Sequence, residues 1–286
     1  MPVDVTATAT IDRPREEVAA YLRDPANDTS WIGGLRSARL LTPEPVAVGS
    51  QVERVASFLG RRVEYVNETL LDLAAIDPHF QRIFGDPGVR VTWFGQMISS
   101  ALVATVTGAY HPFGAHAMAA LEMTAEQAGV ELADDDKEAV AVQMRQLPAH
   151  PEVAGALRRL RDAGLRLAAL TNSTEEVARA QLGHADLIDS FELVLSADSV
   201  GRLKPAPEPY RMAAERLGVA VDQVRLIAAH AWDVAGAARA GCATAFVARP
   251  GKVLDPLVER PEIVGADLAE VADAILAVEQ QDDRRL

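Results

Sequence analysis

The 286-residue chain holds a single cysteine, Cys242, so no disulfide can close within it. That excludes a cross-linked scaffold and suits a reducing compartment. Cys242 sits in ARAGCATAFV, an apolar strand-like run, and reads as a small core residue before it reads as a catalytic thiol. Basic residues are also short: 28 Lys and Arg stand against 41 Asp and Glu, a formal net charge of −13. Such a balance argues against nonspecific binding to nucleic acid or anionic membranes, which calls for a basic surface. Long apolar runs are missing too. The longest, MISSALVATVTGA at 97–109, falls short of the ~20 residues that a spanning helix needs. MPVDVTATATIDRP has neither a basic start nor an apolar stretch, so no secretory leader is expected and the chain reads as cytoplasmic. Internal repeats and low-complexity segments are absent. What is present is an ordinary globular composition, 49% hydrophobic and 24% charged. A polar or anionic small substrate stays open, because local pocket charge can oppose the global sign.

Along the chain the pattern changes twice. Residues 2–62 alternate like strands around one helix: VDVTATATI has period two, RPREEVAAYLRD is helical with Pro14 near its first turn, and RSARLL and SQVERVASFL are strand-like. VEYV at 63–66 reads as a strand entering the polar turn NETLL. From 77 to 150 the pattern is helical, in DPHFQRIF, VTWFGQMISSALVATVTG, GAHAMAALEMTAEQAG and ADDDKEAVAVQMRQL, and Pro148 and Pro151 close the block. The acidic run 134–136 is a solvated helix start. After Pro151, helix and strand alternate through LRLAALTN, FELVLSAD, VRLIAAH and ATAFVAR, which implies βαβ units around a parallel sheet. In such sheets the loops at the carboxyl ends of the strands converge on one site. NETLL, TNST, the RLK turn and HAWD should therefore meet.

VNETLLDL, LTNST, GRLKPAPEPY and AAHAWDVAGAARAG, in that order, resemble the haloacid dehalogenase superfamily, and its type II 2-haloacid dehalogenase branch in particular, over residues 66 to about 280. The resemblance implies an α/β fold, a Rossmann-like parallel-sheet core at 63–76 and 151–286 with an inserted helical cap at 77–150. It implies hydrolysis of the carbon–halogen bond of small 2-haloacids, with no cofactor and no metal, and it allows a homodimer. Its residue roles fall on this chain as follows. Position 65 is the place of the nucleophile and Thr69 supports it, with Val66 and Asn67 beside the substrate. Thr171 and Asn172 grip the substrate carboxylate. Lys204 holds charge near the nucleophile, Tyr210 supports that lysine's surroundings, and Asp233 positions the lysine and the hydrolytic water. His230 and Trp232 line the pocket, with Phe94, Gln96 and Phe113 from the cap. Plainer readings stand beside these: Thr171 and Asn172 as helix caps, Lys204 as a solvated loop residue, Asp233 as a helix-dipole charge, and Phe94, His230 and Trp232 as packing.

The nucleophile is an aspartate in that family, and here the position holds Tyr65. Glu64 lies on the opposite face of an ideal strand and Asp72 lies past the turn, so neither replaces it. Asn67 stands where the phosphatase branch carries a second aspartate, which disfavours magnesium-dependent phosphatase chemistry. WFGQM lacks the arginine that well-studied dehalogenases carry on the cap. Residues 2–65 are similar to the opening of a polyketide cyclase or START-like domain, which implies a partial α+β helix-grip fragment at 1–62 without its later strands. Tyr65 is then a strand residue of that fragment, placed by a gene fusion where the aspartate belongs. The alternative to an impaired hydrolase is a non-catalytic remnant that binds small carboxylates.

Overall fold

A computed structural model describes residues 13–28, 35–40, 42, 52–56, 63–66 and 70–283, and for 63–66 it is the backbone that is described. The chain divides into two compact units, Met1–Gly60 and Arg61–Leu286. In the first, helix α1 (Arg15–Arg23) starts after Pro14, and strands β1 (Leu35–Leu40) and β2 (Val52–Ala56) pair antiparallel with an irregularity between Leu35 and Ser37. The expected strand VDVTATATI lies outside the described residues.

In the second unit six short segments become the strands of one sheet. They are β3 (Val63–Val66), β4 (Arg166–Thr171), β5 (Leu193–Ser196), β6 (Val224–Ala228), β7 (Ala243–Val247) and β8 (Ile263–Gly265). Their order is β5-β4-β3-β6-β7-β8, every pair parallel. VEYV is thus an inner strand of the parallel sheet, as its place before the NETLL turn suggested. Tyr65 lies in register with Ala168 on one side and Leu226 on the other. The chain leaves β3 toward β4 and later returns to its far side at β6, so β3 flanks the switch point where ligands of open α/β sheets bind.

Four helices follow β3: α2 (Asp77–Phe84), α3 (Val89–Thr107), α4 (Phe113–Ala128) and α5 (Asp134–Met144). They leave and return through one neck. Leu71 and Ala149 form an antiparallel bridge, Asp72 N donates to Pro148 O at 2.8 Å, and His150 N donates to Leu70 O at 3.0 Å. Their own apolar cluster contains Phe80, Trp93, Phe113, Leu121 and Val140, with Trp93 Nε1 donating to Ala117 O at 2.8 Å. Asp136, read as a solvated helix start, is instead tied to Arg82.

The remaining helices cover the sheet. Period-two alternation sends Leu167 and Ala169 of β4 into a cluster with α6 (Val153–Asp162), α7 (Glu175–His184) and α10 (Leu268–Asp283). Ala168 and Leu170 enter the opposite cluster, with α8 (Pro207–Leu217) and α9 (Ala231–Ala240). Among the described residues, no helix is long and apolar enough to cross a membrane.

Candidate functional site

Beyond the carboxyl ends of β4, β5 and β6 lies a buried polar network. Lys204, in the loop after β5, is 2% exposed and Asp233, in the first turn of α9, is 0% exposed. Lys204 Nζ donates to Asp233 Oδ2 at 3.1 Å and to Leu170 O, near the end of β4, at 3.1 Å. Tyr210 Oη donates to Asp233 Oδ1 at 2.6 Å. Burial first, then the neighbouring Asp233 charge, pushes the Tyr210 phenol well above its ordinary pKa, so it acts as a fixed donor. Buried charge of this kind is tolerated only when paired and hydrogen-bonded, and here it is both. The solvated-loop reading of Lys204 is therefore excluded. The dipole reading of Asp233 holds alongside the ion pair, since the residue occupies the positive end of α9.

Asn172 ties the lysine loop to the end of β4. Its Oδ1 accepts from Lys204 N at 2.8 Å and its Nδ2 donates to Lys204 O at 3.3 Å. The side chain is 1% exposed. It does not cap a helix: Thr174 caps α7, its hydroxyl accepting from Val177 N at 3.4 Å. Thr171 ends β4, and its Oγ1 accepts from Ser173 N at 3.1 Å.

Above this network opens a cavity of about 470 Å³. Thr171, His230, Phe94 and Phe113 line it. Gln96 does not line it, because its amide turns to Met123 Sδ at 3.6 Å. Trp232 stacks on the His230 ring at a centroid distance of 5.6 Å, and Phe94 stacks on it at 5.2 Å. His230 is held neutral: burial first, then Lys252, pushes its pKa down to about 3. Side-chain expectations for Tyr65 and Val66, and those for Asn67 and Thr69, lie outside the described residues. Cys242 is buried in the sheet, with burial pushing its thiol up to about 12, which is the core reading.

Sequence reasoning missed three cations of the cavity wall, Arg90, Arg249 and Lys252. Arg90 is paired with Asp77, and Arg249 Nη2 lies 2.6 Å from Glu152 Oε1. Lys252 Nζ lies 2.9 Å from His230 Nε2 and 5.3 Å from the Phe94 ring centroid. The signal was available: ARPGK follows the carboxyl end of β7, where this kind of sheet gathers its ligands. Among the described residues, no group of three or more His, Cys, Asp and Glu side chains is placed to hold a metal ion.

Known proteins resemble this chain in sequence and fold. Haloacetate dehalogenase H-2 of Moraxella sp. (strain B) is 27% identical over 210 residues, which cover 73% of this chain and 92% of that protein. (S)-2-haloacid dehalogenase H-109 of Pseudomonas putida is 24% identical, over 73% of this chain and 94% of its own. The crystal structure of the L-2-haloacid dehalogenase RSc1362 superposes with a TM-score of 0.72 at 25% identity, covering 75% of this chain and 98% of that one. A Xanthobacter autotrophicus L-2-haloacid dehalogenase with chloropropionic acid covalently bound shares the fold, with a TM-score of 0.70 at 24% identity and the same coverage of 75% and 98%. The family model of haloacid dehalogenase-like hydrolases matches residues 53–241, beginning inside β2 and running through α9. With most of its length and its whole polar network inside that match, the chain belongs to the haloacid dehalogenase-like hydrolase family.

Proposed function

We propose that this chain is a type II 2-haloacid dehalogenase by descent, acting on small 2-haloacids, whose turnover is impaired because Tyr65 occupies the nucleophile's position. The observation that carries the reading is the register of β3. Tyr65 stands between Ala168 and Leu226 on an inner strand, and the Lys204–Asp233 pair lies beyond the ends of the strands on either side. In the ancestral reaction a carboxylate oxygen at this position attacks C2 of the haloacid, and the halide leaves with the bonding electron pair. Water then adds to the carbonyl of the resulting ester, the acyl–oxygen bond breaks, and the 2-hydroxy acid departs with the carboxylate restored. Tyrosine cannot complete this cycle. Its phenol, with an ordinary pKa near ~10, is neutral at pH 7. Attack through its oxygen would give an aryl alkyl ether, which has no carbonyl for water to open.

In this reading α2–α5 are the cap, and the pocket still takes a small carboxylate where turnover is lost. Residues 2–65 are a START-like helix-grip fragment joined at YVNE, and the chain works in the cytoplasm, as its single cysteine suits. The test is halide release from 2-chloropropionate. The chain as it stands, and its Tyr65→Phe variant, should give background rates, while Tyr65→Asp should recover turnover. Removing a covalent nucleophile can cost on the order of 10⁶ in kcat. Recovery stays partial where the new carboxylate is misplaced by about 1 Å, which costs ~10²-fold. Halide release by the unmodified chain at ordinary enzyme rates, persisting in Tyr65→Phe, would overturn the reading.

A further inference from the structure

Of the described residues, Arg90, Arg249 and Lys252 bring positive charge to the cavity wall. Arg249 and Lys252 each engage more than one partner, Glu152 among those of the first, His230 and Phe94 among those of the second. Arg90 is held differently. Its Nε donates to Asp77 Oδ1, and among the described residues its Nη1 and Nη2 make no hydrogen bond. A guanidinium carries five N–H donors in a rigid fork, so the pair with Asp77 uses one and leaves four on the terminal nitrogens. Asp77, at the start of α2, does not line the cavity, so the tether sits behind the wall.

We propose that Arg90 is the residue that selects an acid in this cavity, its two terminal nitrogens donating in parallel to the two oxygens of a small monocarboxylate while Asp77 holds the guanidinium through Nε. The inference rests on the small-carboxylate reading of the site and names the residue that reads the acid. Three observations support it. Arg90, Phe94 and Met97 stand at i, i+4 and i+7 of α3, hence on one face, and all three line the cavity, so the charge sits beside apolar surface suited to the rest of a small acid. The Arg90 side chain is 21% exposed, so its contacts are partly shielded from water and stronger than those of a surface arginine. Arg90 also lies in the first turn of α3, where the helix dipole disfavours a cation. Such a broken local preference, offset here by Asp77, is expected where a site needs the charge. In a chain of net charge −13, a cation in the wall gives an anionic ligand a local field of the right sign. The planar fork matches two carboxylate oxygens at once, which a lysine ammonium does not.

The experiment is calorimetric titration of the full chain with 2-methylpropionate, in which a methyl replaces the halogen so that no reaction can follow, and with its uncharged amide. Hydrogen bonds between charged partners support a difference of roughly tenfold or more, so the acid should bind at least about tenfold tighter than the amide. Arg90→Met, which keeps an unbranched side chain without the charge, should bring the acid down to the affinity of the amide and leave the amide unmoved. Arg90→Gln should do the same, and serves alone should the methionine variant not fold. Arg90→Lys restores the charge without the fork, and acid affinity should fall between the two. A second readout is kinetic. In the Tyr65→Asp background, Arg90→Met should raise KM for 2-chloropropionate by about tenfold and change kcat far less, because the carboxylate contact is the same before and during attack. Acid and amide binding alike to the unmodified chain, or acid affinity unmoved in Arg90→Met and Arg90→Gln, would overturn the proposal. Full affinity in Arg90→Lys would overturn the two-point grip. The two readings fail separately. Halide release by Tyr65→Asp with a KM that Arg90→Met does not move leaves the ancestral activity standing and sinks the role of Arg90. Loss of acid selectivity in Arg90→Met, with no halide release by Tyr65→Asp, does the reverse.

Discussion

Lys204 and Asp233 form an ion pair at 3.1 Å with side chains 1% and 0% exposed. A charge pair this deep is not stabilising by default, since desolvation offsets much of its attraction. Its removal one member at a time is another matter. Lys204→Met leaves a carboxylate inside the protein with Tyr210 as a donor, and Asp233→Leu leaves an ammonium facing Leu170 O. Each single variant should lose about 3–5 kcal/mol of stability. The double variant Lys204→Met, Asp233→Leu should lose clearly less than the sum, because no lone charge remains. Urea unfolding of the four proteins checks this, and simple additivity would show that the pair is not coupled.

Gly236 explains how the lysine loop comes so close to α9. A Cβ there would stand 2.5 Å from Pro205 Cβ, 2.7 Å from Pro205 O and 2.7 Å from Tyr210 Oη. One of these neighbours, Tyr210 Oη, belongs to the network itself, and Pro205 O is backbone that cannot rotate aside. Gly236→Ala should therefore destabilise by about 3 kcal/mol, at the upper end of the overpacking range. Gly155→Ala, where nothing lies within 4 Å of the added atom, should be neutral or slightly stabilising on its helix. Thermal denaturation of the two variants makes the comparison, and an unchanged midpoint for Gly236→Ala would contradict the geometry.

Cys242 offers a probe of global unfolding. Its thiol is buried behind α9, with its backbone N donating to Ala237 O at 3.0 Å, and burial followed by Asp233 pushes the pKa up to about 12. Only the thiolate reacts with disulfide reagents. In the native protein the labelling rate at pH 8 should be negligible, rising with urea in parallel with the loss of far-ultraviolet dichroism. Fast labelling without denaturant would mean that β7 opens locally.

What could be read from the residues alone follows a physical rule. Lys204, Tyr210 and Asp233 stand in two short motifs, GRLKPAPEPY and AAHAWDVAGAARAG, and the convergence of segments that follow β5 and β6 brings them together. The inner strand VEYV was legible from its place before a polar turn. The bonds of Asn172 to Lys204 N and O were not legible, because an amide after a strand suits either a ligand or a loop and Lys204 reaches it through folding alone. Arg249 and Lys252 escaped because their neighbours, Glu152 for the first and Phe94 and His230 for the second, are brought beside them from distant segments. β8 spans only Ile263–Gly265, too short for a period to show.

The last expectation concerns acid. His230 is pushed from 6.5 down to about 3, by burial first, then by Lys252, against the opposing charge of Asp233, with Lys204 acting in the same direction as Lys252. Phe94 and Trp232, both stacked on it, add no charge. The folded state therefore refuses a proton that the unfolded chain accepts below about pH 6.5. Between these values the unfolded chain binds more protons, so stability rises with pH, is complete above about pH 6.5, and is lost progressively as pH falls toward 3. At pH 5 the loss from this residue amounts to at most about 2 kcal/mol relative to pH 7. His116 and His150 are depressed in the same direction, both by burial first, so the whole protein should be acid-sensitive by more than this amount. His230→Gln isolates the single contribution. Its stability should fall less steeply between pH 7 and pH 4.5 than that of the unmodified chain, whatever its value at pH 7. Urea unfolding at half-unit steps gives both curves, and parallel curves through that window would show that His230 takes up its proton in the folded state.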